Sequence, residues 1–457
     1  MKSVSSEEYI QKGKLRRLYW HLTLPASLSL FILGLYHFVD GIFVGQLVGP
    51  VALGAVGIVY PFTLINNGIF SLIGVGSASM LSRAIGAKNE SVIDKIFGNL
   101  LILNILLSGA EVLFGFLFSE EIVRFLGGGG ELLEPGVAYL RAVLLGAVSI
   151  NFASSMNVVI RAEGKMRDAM FILSSGAILN ILLDPIFLGV FNLGVRGAGL
   201  ATSAAQTVTA IVCIIYLLRG KSVMQPKRCT IRLTRHVGEI LSIGFSGMAL
   251  PVMSIVQIAL ILRTTVQYGD QKQLIIISAA IKILNFIFVP IWGSCQGFQP
   301  VAGINYGGGN YLRVRQGFFV YVAYTTLIAL GIWAVSMLWT GTILSWFITD
   351  PLLVREGVRV LRLYFCTYPL YGYMLLVVTL FQAIGKGLPA AFLVVSRMSL
   401  IFIPMITLLP RIIGLDGVWL ATPAADMLVI SMGSLMVSHE LIRQKRLAKQ
   451  AASDSIT

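Results

Sequence analysis

Charge is scarce in this chain: only 12% of its 457 residues are Asp, Glu, Lys or Arg, about half the share in an ordinary soluble domain. So few charges cannot cover a water-facing surface of normal size, which makes lipid the solvent for most of the chain. Cysteine is also sparse. Cys213, Cys229, Cys295 and Cys366 show neither CxxC nor Cys/His spacing, which argues against a disulfide framework or a soft-metal site and leaves them as packing residues. The four histidines are too dispersed for a metal cluster. No phosphate loop or nucleophile constellation occurs, so an enzyme is not expected and no cofactor is called for.

What is present is apolar: 56% of residues are hydrophobic. Long apolar stretches recur at close to the roughly 20 residues that carry a helix across a hydrocarbon core about 30 Å thick. Unpaired backbone is costly in lipid, so an all-α polytopic bundle follows. The spans fall at roughly 18–44, 51–75, 97–118, 137–160, 168–191, 198–218, 238–262, 274–298, 317–339, 357–380, 389–411 and 418–438, each boundary to within about four residues. That makes twelve crossings.

The net charge of +14 is not the footprint of a nucleic-acid protein, because no soluble basic domain hosts it. Lys and Arg gather in the amino terminus, the even-to-odd loops and the carboxyl terminus. Basic loops stay in the cytoplasm, so both termini are expected there. The leader with Lys12, Lys14, Arg16 and Arg17 runs into a long span without a small-residue cleavage site, and reads as a topogenic anchor rather than a cleaved signal.

Sliding the chain against itself by 220 or 221 positions superposes its punctuation. Arg161-Ala-Glu-Gly-Lys165 falls on Gln382-Ala-Ile-Gly-Lys386, and Gly194 through Thr202 falls on Gly414 through Thr422. Gly76 and Gly86 meet Gly297 and Gly307. Each copy holds six crossings, an even number, so the copies share one orientation and a pseudo-twofold axis along the membrane normal, with a cleft between them. The expected divisions are a first lobe over residues 1–218, a basic link over 219–237 containing Gln225-Pro226-Lys227-Arg228, a second lobe over 238–440 and a polar tail over 441–457. Two lobes on a tether can rock about a central site. A static scaffold is the alternative.

An ionisable group inside a span costs about 2.5 to 3.5 kcal/mol on insertion scales and needs a reason. The repeat acts as a control. Asp40 aligns with Ile261, Asp184 with Met405, Asn180 with Ile401 and Asn157 with Val378, so helix packing alone does not demand polar residues at these places. Tyr36 and Asp40 are four apart, as are Asn180 and Asp184, which puts each pair on one helix face. Pro185 frees the carbonyl of Ile181 and opens the helix beside Asp184. Carboxylates, amide oxygens and a backbone carbonyl make a hard-oxygen set suited to H+ or Na+, with sodium held at Asp40, Asp184 and Asn180. The competing readings are a loop carboxylate for Asp40, a helix-end turn for Asp184, plain interhelical hydrogen bonds for Asn157 and Asn180, and a helix cap for Thr202, which aligns with Thr422.

Glu111 reads as a packing or interface residue. Lys282 and Arg397 give the second half a cationic interior, either pairing with Asp426 or lining the cleft. Gln257, Lys282, Met253, Phe286 and Arg397 are candidates for the substrate cleft, against ordinary core or lipid-facing roles. Pro25 and Pro185 are hinge candidates.

Asp40-Gly-Ile-Phe-Val-Gly45, Ala52-Leu-Gly-Ala-Val-Gly57, Gly74-Val-Gly76, Ser82-Arg-Ala-Ile-Gly-Ala-Lys-Asn89 and Gln299-Pro-Val-Ala-Gly-Ile-Asn-Tyr-Gly307 occur in order. With this set the chain resembles the multidrug and toxic compound extrusion (MATE) family from about residue 15 to 440. The resemblance implies twelve helices in two lobes, exchange of drugs or toxins, often cationic, for H+ or Na+, and a multi-pass monomer in a prokaryotic inner membrane. Asp40, Asn157, Asn180, Asp184 and Thr202 match the DinF-like prokaryotic branch, whose amino-terminal lobe carries the coupling ion. Carboxyl-terminal coupling would want acids in the seventh or tenth span, where this chain offers Gln257 and none. The rival expectations are a flippase for lipid-linked oligosaccharide or polysaccharide, and a non-transporting receptor or scaffold.

Overall fold

The computed structural model describes residues 6–225 and 231–454. Cys229 and Pro226-Lys227-Arg228 of the basic link therefore lie outside the described residues. Among those described, eleven helices are long and apolar enough to cross a membrane, and one bent pair makes a twelfth. They are α1 (Leu15–Val48), α2 (Pro50–Gly86), α3 (Glu90–Leu117), α4 (Gly130–Ala162), α5 (Met166–Val190), α6 (Val195–Leu218), α7 (Val237–Tyr268), α8 (Gln271–Gly307), α9 (Tyr311–Leu338), α10 (Pro351–Tyr364 with Tyr368–Ala383, bent by 40°), α11 (Gly387–Ile413) and α12 (Leu415–Gln450). A short helix, Ser6–Lys12, precedes them. Large apolar side chains such as Leu338, Leu388 and Ile412 stand exposed on the outside, as a lipid-facing surface requires.

Most helices run a few residues beyond the expected spans, because polar ends continue the backbone hydrogen bonding outside the hydrocarbon. The expected tail is the largest case. Helix continues from α12 as far as Asp454, since Glu440 is buried and paired with Lys386 of the α10–α11 turn. The link differs as well. Met224 is fully buried, Ser222 hydrogen-bonds Glu163, and Asn99 of α3 exchanges hydrogen bonds with Thr234 at 2.8 and 2.9 Å. Both described ends of the tether are thus pinned to the first half.

The halves meet where α2 and α8 cross. A Cβ added at Gly86 would lie 1.9 Å from the Ile304 oxygen, and one at Gly307 would lie 2.0 Å from the Arg83 oxygen. Gly86 and Gly307 are repeat partners, as are Arg83 and Ile304, so the crossing is the self-complementary contact that a pseudo-twofold axis generates. The outer crossings follow the same rule. The first helix of each half packs on the second helix of the other: α7 lies on α2 through Gly244 and Gly76, and α1 lies on α8 through Ser27 and Gly293.

Candidate functional site

Four helices of the first half converge on one buried polar cluster. Asp40 sits inside helical backbone of α1 and Asp184 inside that of α5, both buried, which removes the loop and helix-end readings. Their carboxyls lie in mutual hydrogen-bond contact. Asn180 Nδ2 donates to Asp184 Oδ1 at 3.4 Å and to Thr202 Oγ1 of α6 at 3.3 Å, so Thr202 is a partner in the cluster rather than a cap. Tyr36, on the same face as Asp40, is buried within electrostatic range of both carboxyls.

Backbone chemistry shapes the site. Just beyond Pro185 the helix widens to i→i+5 winding over Ile186–Val190, and α1 does the same over Val44–Val48, just beyond Asp40. The two wide turns touch each other. Such turns are rare, and those that occur are frequently found at functional sites.

Three side-chain oxygens of the cluster are buried with no hydrogen-bond partner: Asp40 Oδ1, Asp184 Oδ2 and Asn180 Oδ1. Orphaned buried acceptors are costly. A proton on the carboxyl pair or a small hard cation among the three oxygens would satisfy them, which fits H+ or Na+ chemistry and not a soft metal. No group of three or more His, Cys, Asp or Glu that could hold a metal occurs among the described residues.

Asn157 is placed differently from the rest. Its Nδ2 donates to the Ala169 carbonyl at 2.7 Å, tying α4 to α5 through backbone. Tyr139 of α4, which the sequence reading did not select, is buried within electrostatic range of Asp40, Tyr36 and Asp184. Its only sequence signal is the repeat, where Val360 stands 221 positions on. Pro25 lies inside continuous α1 backbone, and Ser29 Oγ donates to its carbonyl at 2.7 Å.

A separate network surrounds Glu111. Asn151 Nδ2 donates to Glu111 Oε2 and to Ser108 Oγ, each at 3.0 Å, and Asn66, with its amide turned to donate, reaches both carboxylate oxygens at 3.0 and 3.1 Å. It fastens α2, α3 and α4 together.

The second half holds its own polar knot. Arg397 Nε and Nη2 reach Asp426 Oδ1 at 2.8 and 2.7 Å, Nη1 donates to Gln257 Oε1 at 3.1 Å, and Gln257 Nε2 donates to Thr422 Oγ1 at 3.3 Å. Arg397 and Met253 line one narrow recess with Tyr371. Lys282 is exposed on α8, so Arg397 is the cation beside Asp426. Phe286 is exposed and meets Phe31 of α1 edge-on across the halves, ring centroids 6.0 Å apart.

A family model described as MatE matches residues 25–186 and 238–408, well over half of the chain and with one segment in each half. The chain belongs to the MATE family. It is similar to the multidrug export protein MepA of Staphylococcus aureus, 26% identical over 437 residues that cover 94% of this chain and 95% of that one. MepA of Staphylococcus saprophyticus is 24% identical over 416 residues, 90% of each chain. Among solved structures, a MATE in the bent conformation superposes with a TM-score of 0.91 at 24% identity, over 98% of this chain and 100% of that one. An outward-facing multidrug resistance MATE transporter gives 0.88 at 24% identity, over 98% and 99%. This MATE chain is accordingly a multi-pass transporter and not an enzyme.

Proposed function

We propose that the chain is a secondary active exporter of small, often cationic, organic compounds, driven by antiport of H+ or Na+ through the Asp40–Asp184 pair. The observation that carries this reading is the contact between two buried carboxyls, each with one unpartnered oxygen, beside the unpartnered amide oxygen of Asn180. The multidrug export named for the MepA relatives supports the substrate class. Substrate enters a cleft open to the cytoplasm, the halves rock, and ion binding at Asp40, Asp184, Asn180 and Thr202 favours release outside. A carrier moves substrate uphill only when ion and substrate bias its states differently, and the carboxyl pair supplies that difference. Pro25 and Pro185 stand where α1 and α5 would flex.

The basic loops support cytoplasmic termini in a prokaryotic inner membrane, the first-half cluster supports the DinF-like branch, and each chain carries a complete site of its own, as a monomer requires. A flippase for lipid-linked sugars has less support, because Arg397, one of the two cations that would suit an anionic headgroup beside Lys282, is paired with Asp426. The test is efflux of a fluorescent drug from proteoliposomes under separately imposed proton and sodium gradients. Efflux under one gradient is expected; none under either would reject antiport.

A further inference from the structure

The Glu111 network is another place where this chain buries a carboxyl beside neutral groups. Glu111 is 8% exposed, and Asn66, Ser108 and Asn151 around it are buried more deeply still. The repeat provides the control. At 221 positions on, Asn66, Ser108, Glu111 and Asn151 meet Ile287, Ala329, Ile332 and Gly372, so the fold does not demand a polar group at these places. The network joins α2, α3 and α4, whereas the Asp40–Asp184 pair joins α1 and α5, and the two share no residue.

Among the described residues no charged side chain of the elements packed on α3 faces the carboxyl. Arg141 of α4 donates to Ser119 Oγ at 2.9 Å, Arg124 and Glu120 of the short helix Ser119–Phe125 pair with each other at 2.7 Å, and Glu121 beside them is exposed, as is Tyr60 of α2. A buried carboxylate without a cation is costly. What Glu111 has instead is an amide that serves it in either charge state. One terminal atom of Asn66 stands 3.1 and 3.0 Å from Glu111 Oε1 and Oε2, and 3.1 Å from Asn151 Nδ2. With nitrogen in that place, Asn66 donates to the ionised carboxylate. With oxygen there, it accepts the O–H of the carboxylic acid and an N–H of Asn151. An asparagine amide carries a donor end and an acceptor end, so turning one side chain satisfies the carboxyl with or without its proton. Asn151 presents a nitrogen 3.0 Å from Oε2, which repels a metal ion and admits a proton.

We propose that Glu111 is a second proton-binding site of the first half, separate from the Asp40–Asp184 pair, in which the Asn66 amide turns over as the carboxyl takes a proton from water or returns it. The site goes beyond the exporter reading and does not rest on it, since proton binding at equilibrium requires no transport.

The experiment titrates the purified full chain in detergent, without any gradient, and follows buried carboxylic acids by their carbonyl stretch in infrared difference spectra; the probe is the proton itself. The parent is Asp40→Asn/Asp184→Asn, which silences the pair. It is expected to keep a carboxylic-acid band that disappears as pH rises, with a side-chain amide band that shifts over the same interval. Adding Glu111→Gln removes that acid band, and adding Asn66→Leu removes the amide shift. Glu163, Asp426 and Glu440, which are also buried, contribute alike to parent and variants and cancel in the comparison. Glu111→Asp, which keeps the carboxyl, displaces the band in frequency and serves where Glu111→Gln does not fold. Titrating acid bands left unchanged by both Glu111 variants, a Glu111 band that persists at every pH, or an amide shift that survives Asn66→Leu overturns the inference. Loss of gradient-driven efflux with this titration intact counts against the exporter reading alone.

Discussion

Asp40 on α1 and Asp184 on α5 hold their carboxyls in hydrogen-bond contact inside the bundle, a contact that only a shared proton or a bound cation makes favourable. Replacing either by Asn keeps size and hydrogen-bonding capacity while removing the charge that binds an ion. Asp40→Asn and Asp184→Asn are each expected to bring gradient-driven drug efflux to background in proteoliposomes, with yield and gel-filtration profile unchanged. Full efflux in both would eliminate the pair as the coupling site.

Asn180 spans the cluster, reaching Asp184 at 3.4 Å and Thr202 at 3.3 Å, whereas Asn157 reaches only the Ala169 backbone at 2.7 Å among the bonds described. The two asparagines should therefore fail differently. Asn180→Leu is expected to raise the ion concentration for half-maximal efflux about tenfold while sparing much of the maximal rate, and Thr202→Val to act the same way more weakly. Asn157→Leu should lower thermal stability and leave the ion dependence alone. An Asn157→Leu variant with shifted ion dependence and normal stability would show that Asn157 belongs to the ion site.

This division was only half legible in the sequence. The repeat singled out Asn157 and Asn180 together because both meet apolar residues 221 positions on, but a comparison of residue types cannot tell which partner an amide finds. Tyr139 was hidden for another reason: a tyrosine near the start of a span reads as an interfacial anchor, and only the packing of α4 against α2 and α6 turns it inward. Span number and the two-fold plan were legible, since apolar length and duplication are properties of single segments. Arg397 and Asp426 were visible as intramembrane charges, yet their pairing, and the anchoring of the last helix to Lys386 through Glu440, depend on which helices meet. Those are tertiary facts.

Glu163 lies between α4 and α5, outside the spans. Burial pushes its carboxyl above the ordinary glutamate value of 4.5, against the opposing pull of Lys165 and hydrogen bonds that include one from Ser222. A carboxyl with a raised folded-state value binds its proton more tightly folded than unfolded. Its contribution to stability is therefore complete below about pH 4.5 and fades as pH climbs through the raised value. The melting temperature of the wild type should fall across that rising window, and Glu163→Gln should flatten the fall. An equal slope in the variant would assign the dependence to other groups.

The tight crossing of α2 and α7 yields the most direct test of rocking. A Cβ at Gly244 would stand 1.8 Å from the Leu72 oxygen and one at Gly76 would stand 2.0 Å from the Ile240 oxygen, so neither glycine admits a side chain unless the two helices part. Arg83 and Glu239 add an ion pair at 2.7 Å across the same seam. Both are partly exposed, so that pair is worth about 1 kcal/mol or less and Arg83→Ala should shift the populations only severalfold. Gly244→Val should act far more strongly. In a static scaffold it would simply unfold the protein. In a carrier whose halves separate at this end during each cycle, the substituted chain still has a folded state available, with the seam open, and transport stops there. Ser79 of α2, whose hydroxyl hydrogen-bonds the Gln382 carbonyl of α10 where the halves meet beside this seam, reports the difference. With the native cysteines replaced, Ser79→Cys should resist an impermeant thiol reagent in the parent and react readily in Gly244→Val. A folded Gly244→Val protein that labels no faster than its parent would mean that this seam does not open.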